Sequence, residues 1–139
     1  MTMASPAITL MIYFSAIFMG SLVFNFIAIH SMANIVLYKG ASRSKSLSLS
    51  TEFAFLTAVV PTSLIALAHV MGQEVTFGSG LVFYAIAGVS TLLVEPFKIW
   101  YVKEVFETNY IYAVMIAEGL AVFISILVLV LSNTVLALI

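Results

Sequence analysis

The chain lacks cysteine altogether, has three prolines, and carries only 8% charged residues among its 139. Without cysteine there are no disulfides, no thiolate metal site and no cysteine nucleophile. The scarcity of charge says more, because a soluble domain carries about 25% charged residues. Five basic and six acidic residues leave a formal net charge of -1, so no basic face points to nucleic acid. What remains is apolar: 63% of residues are hydrophobic and the mean hydropathy is +1.22. Such a chain cannot cover itself with polar surface in water, which excludes a soluble enzyme. Lipid is the solvent that suits it.

Polar segments cut the chain into four apolar runs, each longer than the roughly 20 residues needed to cross hydrocarbon. The first is expected over about Pro6 to Leu37, with Ser5 as N-cap and Pro6 in the first turn. No basic segment precedes it and it is long for a secretory signal, so it reads as a retained helix. A serine-rich loop, Lys39 to Ser50, follows. The second helix is expected over Thr51 to Gly72, capped by Ser50 or Thr51, with Glu52 in its first turn. After a connection over Gln73 to Ser79, the third runs from Gly80 to Lys103 or beyond. The polar stretch KEVFETN ends it. The fourth runs from Tyr110 to Leu131, with a frayed apolar tail to Ile139.

All five cations, Lys39, Arg43, Lys45, Lys98 and Lys103, lie in or beside the first and third connections. The positive-inside rule places those connections in the cytoplasm and both termini on the outer or lumenal side. Tyr38, Trp100, Tyr101 and Tyr110 flank the same side as interfacial anchors. The expectation is an all-α membrane protein of two tandem helical hairpins, residues 1–75 and 76–139. A shift that places Thr51 on Thr108 also places Phe53 on Tyr110, Phe55 on Tyr112 and Pro61 on Glu118. That pattern reads as two parallel repeats, as after a gene fusion.

In lipid the informative residues are ionisable. Glu118 stands in the apolar run YIYAVMIAEGLAVFISILVLVL, roughly 12 Å into its helix at 1.5 Å per residue. An intramembrane carboxyl is a functional-site hypothesis by default. A protonated one tolerates lipid, whereas an ionised one needs a cation or a polar path. The competing reading is a neutral acid hydrogen-bonded to a neighbouring helix as structural glue.

The segment Ala117-Glu118-Gly119-Leu120-Ala121-Val122-Phe123 resembles the ion-carrying helix of the proteolipid, or c-ring, subunits of V/A-type rotary ATPases. The layout is similar to their fused two-hairpin form, in which Pro61-Thr62 would hold the place of a lost first carboxyl. The resemblance implies a homo-oligomeric ring in lipid, alongside other membrane subunits. It also implies proton translocation by reversible protonation of Glu118, with no cofactor and no catalysis by the chain itself. The motif covers about ten residues; the rest matches in layout only. The crowded glycine and alanine pattern of ring helices is degenerate here, since the first helix mixes Ala16, Gly20, Ala28 and Ala33 with Phe14, Phe18, Phe24 and Phe26. That departure favours a different reading, a structural accessory subunit of a respiratory or other membrane complex. A hydrophobic self-assembling array subunit is a third.

A sodium site needs several oxygen ligands, and no glutamine lies within the four spans, so a proton is the expected ion. Thr62 and Ser63 are candidate hydrogen-bond partners of Glu118, although each hydroxyl can instead bond back to its own helix. Glu95 has two readings. One is an i,i+3 pair with Lys98 at the interface, the lysine snorkelling outward. The other is a second carboxyl near Glu118. Pro96 should kink or end the local ladder. His30 and His69 differ in expected depth by roughly 13 Å, too far to share one haem. They read as polar residues satisfied by a neighbouring helix, as do Asn25 and Asn34. No metal cluster is apparent.

Overall fold

The computed structural model describes residues 6–38, 40–76 and 78–138, without the Leu138 side chain. The Ser5 cap, the Lys39 cation and the last tail residue, Ile139, lie outside the described residues. Among the described residues there are four helices: α1 (Pro6–Leu37), α2 (Arg43–Val70), α3 (Leu81–Val105) and α4 (Tyr110–Leu138). All four are long and apolar enough to cross a membrane. No strand occurs among the described residues.

Local chemistry sets the ends of these helices. Asn34 Nδ2 donates to His30 O at 2.8 Å, and the Asn34 carbonyl oxygen accepts from the Ala41 amide. One side chain thus ties the last turns of α1 to the start of the next helix. Ser42 caps α2, its hydroxyl accepting from Lys45 N at 3.4 Å. At the far end of α2, Gly72 takes φ 76° while Gln73 N donates to Ala68 O and Gly72 N to His69 O. This paired closure needs a left-handed residue, which glycine supplies without a Cβ clash. Asn109 Oδ1 accepts from Tyr112 N at 2.9 Å and starts α4.

Two helix bounds differ from expectation. The second helix begins at Arg43 rather than Thr51, so most of the expected serine-rich loop is helical. Two hydroxyls in its first turns bond back along the helix: Ser50 donates to Ser46 O at 2.6 Å, and Thr51 to Leu47 O at 2.9 Å. A serine that bonds back in this way loses its usual advantage in a turn. The fourth helix continues to Leu138 rather than fraying after Leu131. Thr134 bonds back to Val130 O there, and no proline or glycine interrupts the run. Pro96 lies within α3, which continues through it.

The helices pack as a closed cycle. α1 packs beside α2 and α4, and α3 beside α2 and α4, while the backbones of the diagonal pairs α1–α3 and α2–α4 stay apart. One core, made of Ile29, Ala33, Leu49, Phe53, Val102, Ala113, Ile116 and Ala117, draws on all four helices. The two expected hairpins therefore share an interior.

That core lies beside the α1–α2 and α3–α4 turns, hereafter the charged end. The opposite, open end is loose. No described residue of α1 before Asn25 is buried, and every residue from Val122 to Ala137 is exposed. Exposure of this kind carries no hydrophobic cost in lipid, whose tails are as apolar as leucine. Close approach depends on small side chains instead. Ser46, Ser50, Ala54 and Ala58 form a fully buried ridge at four-residue spacing along α2. On the other flank of α1, a Cβ added to Gly119 of α4 would sit 2.6 Å from Met32 Cε.

Candidate functional site

α3 runs towards the charged end and α4 runs away from it, so residues equally far from their shared turn meet across the pair. Lys98 precedes that turn by about as many residues as Glu118 follows it. Lys98 Nζ lies 3.1 Å from Glu118 Oε1 and 3.2 Å from Glu95 Oε2. The aligned hydrogen bond runs from Nζ to Glu95 Oε1 at 3.4 Å. Glu118 Oε1 and Glu95 Oε2 touch the ammonium as charges, without the direction of a hydrogen bond, and neither has another donor.

Lys98 is 6% exposed. It does not snorkel outward, as the sequence reading had it, but turns into the bundle. An ammonium there needs compensation for lost hydration, and two carboxylates provide it. Ser90, Val94, Lys98 and Val102 form the buried stripe of α3 at four-residue spacing, which carries Lys98 inward. The carboxylate side chains are partly accessible, 31% for Glu95 and 27% for Glu118. Glu95 pairs with Lys98 at i,i+3, without the outward snorkel expected of that pair, and it shares the lysine with Glu118.

Thr62 and Ser63 are not brought to Glu118. They lie on α2, whose backbone stays apart from that of α4, and roughly 16 Å further from the charged end at 1.5 Å per residue. Ser63 is exposed, and Thr62 Oγ1 is buried without a partner. The error follows from the start of α2. Once that helix begins at Arg43, Thr51 lies within it while Thr108 stays in a turn. The repeat that set Pro61 opposite Glu118 loses its register.

His30 Nδ1 lies 3.2 Å from Ser46 Oγ of α2, with Phe26 stacked on the ring at 5.6 Å. A neighbouring helix thus holds this histidine. His69 is exposed in the last turn of α2 at the open end. Asn25 donates to Ser21 Oγ at 2.8 Å within its own helix, and Asn34 serves the α1–α2 turn, so neither bridges to a neighbour. Among the described residues no group of three or more His, Cys, Asp or Glu has the geometry to hold a metal ion.

Sequence reasoning missed Lys98 as the bridge between two helices. It had one available signal: counted from the α3–α4 turn, Lys98 and Glu118 fall at the same depth. The fold and site define an integral, multi-pass, all-helical membrane protein with a carboxylate–ammonium–carboxylate cluster inside its bundle. Comparison with protein-family models, curated proteins and solved structures finds no match to this chain, so its site is read from geometry.

Proposed function

We propose that this chain is a proton-handling subunit of a membrane assembly, with the Glu95–Lys98–Glu118 cluster carrying one exchangeable proton. The charge count is the observation that carries the reading. Two ionised carboxylates and one ammonium leave an excess negative charge inside an apolar bundle, where an uncompensated charge is expensive. A single bound proton removes that excess. Glu95 and Glu118 share the one ammonium, so the proton can reside on either carboxyl. Charge placement supports an orientation with the charged end in the cytoplasm and the termini outside.

The resemblance of the Glu118 segment to rotor proteolipids supports the same chemistry. In a ring, Glu118 would exchange its intramolecular partner, Lys98, for a stator cation as it turns. In membrane vesicles carrying the native assembly, Glu118→Gln should abolish proton flux while leaving assembly intact. Unchanged flux would contradict the proposal.

A second reading, the structural accessory subunit, is favoured by the apolar length of α4 from Val122 to Ala137, exposed on every side. There the cluster is an internal clamp between α3 and α4. Glu118→Gln would then lower the stability of the bundle and leave flux intact.

A further inference from the structure

A cavity of about 260 Å³ lies between α1, α2 and α3. It follows α3 from Phe83, near the open end, to Glu95, roughly 18 Å along the helix. Its walls are mostly apolar, with Ile17, Pro61, Ile65 and Ala87 among them. Two polar groups stand out. Glu95 lines the cavity at its deep end, and Ser90, 8% exposed, lines it with a hydroxyl that has no hydrogen-bond partner. Thr57 and Thr91 also line it, the Thr91 hydroxyl being committed to Ala87 O at 2.9 Å. Glu118 is not part of the lining.

An apolar hollow with a few converging polar groups is the usual form of a small-molecule site. Its size fits a single-ring or short-chain molecule, and the charge of the cluster selects the sign of the head group. We propose that the cavity binds a small apolar monocation, an alkyl- or arylammonium, with its hydrocarbon part against Pro61 and Ile65 and its nitrogen donating to Glu95 and Ser90. The inference rests on the proton reading for one element only, the excess negative charge. The ammonium supplies the neutralising charge in place of the proton, so each ligand bound releases one proton from the cluster.

Phenethylammonium is a suitable probe, with neutral propylbenzene as the uncharged comparison. Binding is measured to the full chain in lipid nanodiscs against empty discs, with proton release followed by a pH indicator. Saturable binding is expected, at least tenfold tighter for the cation. Ala87→Phe, which fills the hollow without touching the cluster, should weaken it at least tenfold, and Glu95→Gln should do the same. Equal affinity for propylbenzene, or unchanged binding in Ala87→Phe, would overturn the site. The two proposals fail differently. Absence of binding, alongside lost flux in Glu118→Gln, removes the cation site and leaves the proton reading. Binding without proton release removes the shared proton and leaves the site.

Discussion

Glu107 holds the left-handed position that closes α3, with φ 50° and no glycine to ease it. The closure is otherwise regular, since Thr108 N donates to Lys103 O at 3.1 Å and Glu107 N to Glu104 O at 3.3 Å. A residue with a Cβ pays about 1 kcal/mol or more in that conformation, and glycine is the residue that helix ends of this kind prefer. Glu107→Gly is expected to stabilise the bundle by about 1 kcal/mol. Denaturation in mixed micelles checks this, and an unchanged or lower midpoint would show that the carboxylate has another role. Lys98 is the opposite case, a residue whose cost is met by its neighbours. Its three-residue spacing to Glu95 was legible in the sequence. Its pairing with Glu118 was not, because that depends on how α3 and α4 rotate against each other. Thr62 and Ser63 failed as partners for a different reason: α2 begins at Arg43, which carries them further from the charged end than Glu118.

The four spans were legible because long apolar runs bounded by polar residues admit little else in lipid. Their ends were less so. The serines between Ser42 and Ser50 look like a loop, yet Ser46 and Ser50 begin the buried ridge that continues through Ala54 and Ala58, with Ser46 meeting His30 of α1. Small residues at this spacing let membrane helices approach closely, and serine meets the need as well as glycine once its hydroxyl bonds back or reaches His30. The small-residue pattern sought in α1 lies in α2. Ala54→Leu should separate α1 from α2 and cost about 1–3 kcal/mol. Leu47→Ala, at an exposed position of the same helix, should stay within about 0.5 kcal/mol. Thermal melting of both variants tests the ridge, and equal midpoints would remove it as the source of α1–α2 packing.

At the scale of the molecule, the bundle is closed at its charged end and loose at its open end. The ionisable cluster lies where the packing is tight, and the cavity leads towards it from the loose side. The layout of two hairpins was readable from the polar turns, whereas their shared core was not, since nothing in apolar periodicity says which helices meet. The central claim is a charge balance: one ammonium, two carboxyls and one proton. Infrared spectroscopy of the full chain in nanodiscs counts it directly, through the carbonyl band of protonated carboxylic acid at neutral pH. One protonated carboxyl per chain is expected, none in Glu118→Gln, and two in Lys98→Met. Absence of the band in the unsubstituted chain, or a band that Lys98→Met leaves unchanged, would contradict the account.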